Sequence, residues 1–507
     1  MGDNRDIRSA REYHDGTAHS PHSVRTSGHR LDWKNKPSPF KIYTELPQVA
    51  LPRDFPALTV DALPALSGSA EAPAHLDLAG LACLLFFSAG ITKRQTYSGG
   101  EEVFFRAAPS TGALYQTEVY VVAGDVAGLP TGVYHFGPGD FTLRCVRPGD
   151  HRGVVATAAA DERIAEEPAT LVLTAIYWRN TWKYEARGYR HLFWDAGAML
   201  ANLLAAAAAV PVPARVVSGF AELEVNVLLG LEGDKEGALV LVPVGAEGRP
   251  APPPPITQAI AHPFIGLSRS EVDYPVLRQA YADSSLASES EVAVWREGGV
   301  GFERTGPTVP ASLSPLPAFR AQSGRALGET VLARGSTREF SGGPLSAEEF
   351  STALYHATRG FPVDVTAGLV DLYVNVHAVH GIAPGAYLYH ADANAVELLK
   401  AGDFRADSTF LCLEQSLGGR SSATVFFLAD LGRILSRFGN RGYRLANLEA
   451  GLIGGRLYLG AYAQRFGATG LTFFDGPVVA FFSPHAVGKD AIFVTAFGRS
   501  VKRAPER

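Results

Sequence analysis

The sequence predicts an α+β fold that occurs twice in one chain of 507 residues. The stretch TWKYEARGYR (181–190) returns as SRFGNRGYR (436–444), and GVYHFGPGDFTLRCVRPGD (132–150) returns as GAYLYHADANAVELLKAGD (385–403). Helical and β-branched segments alternate in the same order in both halves, which is typical of α+β or α/β units. A proline-rich spacer, RPAPPPPITQ (249–258), separates the halves. Because a duplicated chain can supply both halves of a symmetric interface, we expect an intrachain pseudo-dimer.

Each copy is expected to contain the same elements in the same order. An early helix precedes a strand, a hairpin, a second strand, a long helix and a last strand. Apart from the two helices, these read EVYVVAG and DLYVNVH, VYHF and AYLY, LVLTAIY and VFFLADL, and ALVLVPVG and AIFVTAFG. We place a leader segment at 1–52, the first domain at 53–248, the spacer with a connecting segment at 249–325, and the second domain at 326–507.

Composition restricts the class of protein. Hydrophobic residues make up 46% of the chain and the mean hydropathy is +0.04, enough for substantial cores. Lys and Arg number 46 against 51 Asp and Glu, and the formal net charge of −5 argues against a nucleic-acid binder. Cys83, Cys145 and Cys412 have no paired spacing, so neither a disulfide framework nor a zinc site is expected.

The chain ends and the apolar runs bear on localisation. The N-terminus is polar and lacks the apolar core of a signal peptide. The longest apolar run, AGAMLANLLAAAAAV (196–210), is shorter than the roughly 20 residues that a membrane helix needs, so we interpret it as a buried core helix. We expect a soluble, cytoplasmic protein.

Three segments carry side chains suited to chemistry. The first is the turn Pro109-Ser110-Thr111-Gly112, where backbone N–H groups and two hydroxyl groups converge. Such a turn can hold an anionic or heteroaromatic ligand. Most turns of this composition are only turns, so this one carries little weight alone.

The second segment is LARGSTREF (332–340), which we name the clamp segment. Arg334, Ser336 and Arg338 alternate, so in an extended chain they face one side. Two guanidinium groups and a hydroxyl group in that arrangement suit a phosphate group. The alternative is a solvated basic face.

The third segment holds Lys183 and Tyr184, among the aromatic residues of YWRNTW (177–182). Nearby cations and aromatic surface lower the pKa of a lysine, which can then act as a base while a tyrosine assists. A lysine that lies along an aromatic rim for structural reasons is the alternative.

The order of these motifs resembles the nitroreductase-like flavoproteins. The residues that carry the resemblance are RAAPSTGALY (106–115), then Gly-Val-Tyr, WKYEARGYR and DAG. More narrowly, the chain is similar to the SagB/ThcOx branch, the azoline oxidases of thiazole- and oxazole-forming peptide maturation. The leader sequences YHDGTAHS (13–20) and LDWKNKPSPFKIYTELPQVALP (31–52) also resemble that branch.

The resemblance implies a nitroreductase-like three-layer α/β/α sandwich that dimerises, with FMN bound between the subunits. It implies that Lys183 and Tyr184 form a catalytic proton-transfer pair. It assigns cofactor binding to Pro109, Ser110, Thr111, Gly112, Leu114, Arg334, Ser336, Arg338 and, by position only, Arg499. It implies a small-molecule or peptide substrate, and peptide-maturation proteins as partners.

Each copy lacks what the other keeps. The first copy has the turn and the Lys-Tyr pair, but reads LSGSAEA (66–72) where a clamp would lie. The second copy has the clamp, but PVDVTAG (362–368) replaces the turn, and Arg437 and Phe438 replace the Lys-Tyr pair. We therefore predict one composite FMN site per chain and one vestigial site.

The expected reaction is a two-electron oxidation, with thiazoline or oxazoline rings of a peptide as the most concrete substrate. Lys183, aided by Tyr184, would remove a proton while a hydride passes to FMN. Two alternatives stay open. One is an NAD(P)H-dependent reductase of nitroaromatics or quinones, and the other is a scaffold without flavin that binds a peptide or partner.

Overall fold

The computed structural model describes residues 3–68, 75–96, 100, 102–246, 248–299, 302 and 313–501. Up to residue 246 the helices are α1 (Arg8–Gly16), α2 (Pro21–Thr26), α3 (Ala62–Ser67), α4 (Leu78–Ala89), α5 (Arg152–Ala158), α6 (Tyr177–Tyr184), α7 (Gly188–Ala209) and α8 (Glu222–Leu229). The strands of this part are β1 (Gln48–Ala50), β2 (Ile91–Thr96), β3 (Glu102–Arg106), β4 (Thr117–Ala123), β5 (Gly132–Gly137), β6 (Thr142–Pro148), β7 (Ala169–Ile176) and β8 (Glu236–Val244). Short 3-10 turns lie at Trp33–Asn35, Thr111–Ala113, Glu162–Ala165 and Glu185–Arg187.

The later part of the chain repeats this order. Its helices are α9 (Pro275–Asp283), α10 (Glu289–Gly299), α11 (Leu327–Ala333), α12 (Ala347–Ala357), α13 (Arg405–Leu411), α14 (Ser416–Arg420), α15 (Leu431–Phe438), α16 (Arg441–Ala463) and α17 (Asp475–Phe482). Its strands are β9 (Ser314–Pro315), β10 (Asp371–Val376), β11 (Gly385–His390), β12 (Ala395–Ala401), β13 (Ala423–Ala429), β14 (Gly467–Gly470) and β15 (Asp490–Gly498).

The two copies form equivalent antiparallel sheets. The strand order is β1-β6-β5-β4-β7-β8 in the first and β14-β15-β13-β10-β11-β12-β9 in the second. Both faces of each sheet are covered. In β4, Val119 and Val121 join the central core, while Tyr120 and Val122 join a cluster with α5 and α8. The predicted α+β fold in two copies is therefore confirmed, and each sheet lies between helical layers.

The long helices α7 and α16 cross at the centre of the molecule. A Cβ atom at Gly197 would lie 2.2 Å from the carbonyl oxygen of Leu448, and one at Gly451 would lie 2.3 Å from that of Trp194. Only glycine allows this approach, which explains why Asp-Ala-Gly in α7 recurs as Glu-Ala-Gly in α16. Trp194 donates from Nε1 to Oδ1 of Asn447 across the same crossing, at 2.7 Å.

One helical stretch, Tyr177–Ala209, is long and apolar enough to cross a membrane by length and composition alone. Of its most apolar window, 89% is buried inside the protein. Core helices of soluble proteins meet the same criterion, and the burial agrees with the core helix that the sequence predicts.

The leader and the connecting segment make equivalent contacts. Arg190 of α7 pairs with Asp475 at 2.5 Å and donates to a carbonyl of α1. Arg444 of α16 pairs with Glu222 at 2.6 Å and donates to a carbonyl of α9. Likewise β1 pairs with β6 and β9 pairs with β12. The repeat thus extends into both segments, and the domain boundaries assigned above stay predictions.

Candidate functional site between the two copies

The Pro-Ser turn, residues 109–112, connects β3 to β4 and lies over α7. Asp195 of α7 accepts from the Ser110 hydroxyl group at 2.6 Å and from the Thr111 hydroxyl group at 2.5 Å. The Thr111 amide donates to both carboxylate oxygens, at 3.0 and 2.9 Å, and Gln116 donates at 2.6 Å. Burial outweighs these donors and raises the pKa of Asp195 to about 6.

These contacts correct one expectation. The two hydroxyl groups of the turn do not converge on a ligand site, because both donate to Asp195 beneath the turn. What the turn leaves accessible is its outer surface. Pro109, Ser110 and Thr111 are half-buried, and Gly112 is exposed.

The Lys-Tyr pair ends α6 and lies against this turn. A Cβ atom at Gly112 would be 2.9 Å from the Tyr184 hydroxyl oxygen and 3.3 Å from Cδ of Lys183. Burial lowers the pKa of Lys183, and the charges of Arg338 and Lys36 lower it further. Burial raises the pKa of Tyr184, and the negative charge of Asp195 acts in the same direction.

The clamp segment of the second copy reaches the same place. Arg334 donates from Nε to the carbonyl oxygen of Ala107 at 2.7 Å and from Nη2 to that of Arg106 at 2.8 Å. Two of its donors therefore fasten the second copy to the strand that precedes the turn. The Ser336 and Tyr458 hydroxyl groups lie 3.3 Å apart.

Arg338 is the exposed cation of the clamp segment. Its positive charge lowers the pKa of both Lys183 and Tyr184, so the clamp segment lies within electrostatic range of the Lys-Tyr pair. Within the described residues, neither Arg338 nor Lys183 forms an ion pair with a carboxylate. Positive charge at this junction is thus left without an acidic partner.

The two remaining predicted ligands, Leu114 and Arg499, already contact other protein side chains. Leu114 is 4% exposed and packs with Ile176, Trp178 and Trp182 under α6. Arg499 pairs with Glu349 at 2.7 Å. These contacts are packing for Leu114 and an ion pair for Arg499, so cofactor binding by either residue stays a prediction.

The leader crosses α6 next to Lys183 in a segment that we name the strap, residues 29–36. His29 lies 3.1 Å from the Trp182 carbonyl oxygen through its Nε2 atom, and Trp182 donates from Nε1 to the Asp32 carbonyl at 3.1 Å. Trp33 meets the Trp182 ring edge-on at 5.3 Å yet stays 66% exposed. Lys36, the cation that acts on Lys183, comes from the same strap.

At the symmetry-related junction, which we name the second junction, the two copies contact each other directly. Asp364 accepts from the amide and hydroxyl groups of Ser218, at 2.8 and 2.7 Å, and from the amide of Gly219 at 2.9 Å. Trp295 of α10 packs on Gly219 and donates to the carbonyl oxygen of Phe438 at 2.9 Å. Arg296 of α10 lies 3.4 Å from the Asp364 carboxylate, which is therefore already paired at the second junction.

The first-copy stretch 66–72 is only partly available for comparison. Residues 69–72 lie outside the described residues. The loss of a phosphate clamp from the first copy therefore stays a sequence prediction.

Sequence reasoning missed Asp195 as part of this site. The motifs that predict the site do not include it. Its counterpart in the second copy, Glu449, accepts from the amides of Gly368 at 3.0 Å and Leu369 at 2.9 Å. The repeat itself was the available signal, because a carboxylate recurs at the same place before Ala-Gly in both copies.

The comparisons with known proteins define the class. A family model described as Nitroreductase family matches residues 86–246 and 331–487, more than half of the chain. The chain therefore belongs to the nitroreductase family, and it carries the family's domain twice. It is also 31% identical, over 171 residues, to a provisionally named nitroreductase of Methanocaldococcus jannaschii, which covers 34% of this chain and 81% of that protein.

A solved structure matches the tandem arrangement as a whole. The crystal structure of a provisionally named nitroreductase from Anabaena variabilis superposes with a TM-score of 0.79 at 26% identity, over 97% of this chain and 99% of that one. The Escherichia coli microcin synthetase complex, solved with a truncated precursor bound, also matches, at 19% identity and a TM-score of 0.31. That similarity is too remote to bear on the activity of this chain.

Flavin mononucleotide is the cofactor that the family implies. The residues of the first junction, where the turn and the Lys-Tyr pair meet the clamp segment, suit this cofactor. The exposed Arg338 guanidinium group and the Ser336 hydroxyl group are donors that a phosphate group prefers. The positive charges of Arg338 and Lys36 have no ion-paired carboxylate among the described residues. Gly112 has no side chain, so Tyr184 and Lys183 pack directly against the turn and form one surface with it.

Proposed function

We propose that the protein is an FMN-dependent oxidoreductase with one composite site per chain. The observation that carries the proposal is the meeting of three segments at one junction. The first copy brings the turn and the Lys-Tyr pair. The second brings the clamp segment, in which Arg334 donates to the carbonyl oxygen of Ala107 and the charge of Arg338 lowers the pKa of Lys183.

Within this proposal the two copies divide the work. Arg338 and Ser336 would hold the phosphate group of FMN, and the outer surface of the turn would support its ring. Arg334 contributes mainly by fixing the clamp segment to the first copy, because two of its donors bond to carbonyl groups. FMN, when bound, supplies an acceptor for two electrons.

The Lys-Tyr pair moves the proton. Burial and the charge of Arg338 lower the pKa of Lys183, so a larger share of its side chain is neutral and able to take a proton near neutral pH. Tyr184 has a raised pKa and keeps its proton, so its hydroxyl group donates a hydrogen bond to the substrate and orients it. An oxidation at this site would remove two hydrogens from the substrate, one to Lys183 as a proton and the other, with its electron pair, to the acceptor.

For the substrate we propose a thiazoline or oxazoline ring in a peptide, which becomes a thiazole or oxazole. The Lys-Tyr pair and the leader motifs support this choice through their resemblance to the SagB/ThcOx branch. The ring would lose two hydrogens, one to Lys183 as a proton and one as a hydride. Oxygen or another electron acceptor would then reoxidise the cofactor.

The family name supports a second candidate, an NAD(P)H-dependent reductase of nitroaromatics or quinones. The two candidates use the same cofactor site and differ in the electron donor. Rapid bleaching of bound flavin by NADPH would favour the reductase. Bleaching by a thiazoline peptide under anaerobic conditions, with slow reaction toward NADPH, would favour the oxidase.

The first test is the flavin content of the full-length protein. We expect a yellow protein that releases about one FMN per chain on denaturation, because the clamp and the turn meet at one junction. Lys183→Met should keep this flavin and lose the oxidation of a thiazoline peptide. A colourless protein that stays colourless after incubation with FMN would overturn the proposal and support the flavin-less scaffold.

A further inference from the structure

We propose that Asp195 is the positioning residue of the composite site, because its carboxylate fixes the turn against the Lys-Tyr pair. The inference rests on the proposed function and adds a residue to it. Asp195 is 6% exposed and lies beneath the turn, so it contacts neither the substrate nor the cofactor face. Its effect on the reaction passes through other residues.

The hydrogen bonds make one carboxylate responsible for the shape of the turn. The Ser110 hydroxyl group and the Thr111 amide and hydroxyl groups donate to the carboxylate oxygens of Asp195, at distances from 2.5 to 3.0 Å. The next turn residue, Gly112, is the one that touches Tyr184 and Lys183. A shift of the carboxylate therefore moves the surface on which both the flavin ring and the pair depend.

The charge of Asp195 also reaches the reacting groups. Its negative charge raises the pKa of Tyr184 on α6 and that of Tyr115 beside the turn. Arg106 of β3 lines the same small cavity as Asp195, and Arg338 opposes its effect on Tyr184. Ionised Asp195 thus holds the turn through charge-assisted hydrogen bonds and helps Tyr184 to keep its proton.

The second copy contains a natural control. Glu449 stands at the equivalent place of α16 and accepts from the amides of Gly368 and Leu369. In that copy Arg437 and Phe438 end α15, at the positions where Lys183 and Tyr184 end α6. The same chemical change in the two copies should therefore differ in effect on the site.

The experiment measures FMN affinity of the full-length apoprotein by fluorescence quenching at pH 5.0 and pH 7.5. Asp195→Asn keeps the size of the side chain but replaces one accepting oxygen with an NH2 group. The hydroxyl, backbone and Gln116 donors around it then lack an acceptor, so we expect Kd for FMN to rise at least about tenfold at pH 7.5. The Kd of the wild type for FMN should rise by a similar factor when the pH falls from 7.5 to 5.0, while the Kd of Asp195→Asn should change little. Glu449→Gln should follow the wild type at both pH values.

Two further results complete the test. Asp195→Glu restores a carboxylate of the kind that the second copy uses, and it should recover both part of the affinity and its pH dependence. If Asp195→Asn does not fold, Ser110→Ala removes one donor and should weaken binding in the same direction. Wild-type affinity and pH dependence in Asp195→Asn would overturn the inference alone. A wild type that binds no FMN would overturn the proposed function, and this inference with it.

Discussion

Gly112 and Tyr184 touch across the junction between the turn and α6. A methyl group at residue 112 would lie 2.9 Å from the Tyr184 hydroxyl oxygen, and Gly112 has a φ of +63°. The contact links a backbone conformation that favours glycine to the position of a hydroxyl group. The turn and the Lys-Tyr pair thus form one surface.

Gly112→Ala should therefore reduce turnover as well as stability. The left-handed conformation costs alanine about 1–2 kcal/mol of unfolding free energy. The new methyl group displaces the Tyr184 hydroxyl group and the Lys183 stem, so we expect turnover to fall at least about tenfold. Gly324→Ala is the matched control, because Gly324 has a φ of +70° and no atom within 4 Å of its added methyl group. Equal turnover in the two variants would contradict the contact.

Arg338→Ala should weaken FMN binding and change the pH dependence of turnover. Loss of a charged hydrogen-bond donor costs about 1.5–3 kcal/mol, so Kd should rise about 10- to 150-fold. Removal of the charge also raises the pKa of Lys183 toward its ordinary value. At saturating FMN, the rise of the rate with pH should therefore move to higher pH.

The control for Arg338→Ala is Arg53→Ala, which removes another exposed arginine with one ring contact, to Phe141. It should leave FMN affinity unchanged. Equal loss of affinity in both variants would show that overall charge, and not the clamp segment, determines binding.

The sequence was sufficient for the repeat and for the meeting of the two copies. The complementary losses in TWKYEARGYR and LARGSTREF depend only on which residues stand at repeated positions. The direction of the Ser110 and Thr111 hydroxyl groups was not predictable, because it depends on Asp195, which is distant in sequence and adjacent in space. Local turn chemistry cannot reveal such a partner.

The equivalence of α1 and α9 was hidden for a related reason. The contacts that α1 and α9 make with Arg190 and Arg444 go to backbone carbonyl groups. Backbone acceptors place little restriction on residue identity, so the leader and the connecting segment diverged while their contacts stayed equivalent. The sequence therefore predicted residues 249–325 only as a spacer with a connecting segment, and not that α9 in this range contacts Arg444 as α1 contacts Arg190.

Asp195 should make the protein less stable as pH rises through the mildly acidic range. The folded-state pKa, about 6, is above the ordinary value of 3.8. Its stabilising contribution is therefore present below pH 3.8 and is lost as pH rises through 6. A shift of about two pKa units corresponds to about 3 kcal/mol.

Urea unfolding of the apoprotein at pH 4, 5, 6, 7 and 8 would measure this effect. The difference in unfolding free energy, wild type minus Asp195→Asn, should fall with pH and level off above about pH 7. A difference that rises with pH would mean that the donors of the turn outweigh burial and hold the pKa below its ordinary value.

Trp295→Ala should destabilise the protein without adding a second flavin. Trp295 is 7% exposed and packs on Gly219 and Phe438 at the second junction, so its truncation should cost about 3–5 kcal/mol of unfolding free energy. Asp364 stays bonded to Ser218 and Gly219 and paired with Arg296, so it offers no donor to a phosphate group. The flavin content should therefore stay near one FMN per chain.

Trp33→Ala is the matched control, because it removes the same side chain from the strap, where Trp33 is 66% exposed. It should cost little stability, about 0.5 kcal/mol or less, and also leave one FMN per chain. A flavin content that rises toward two in Trp295→Ala, and not in Trp33→Ala, would show that the indole alone closes a site that still binds the cofactor. The loss of a clamp and a turn from the second junction would then not explain a single flavin site per chain, because that junction would bind FMN without them.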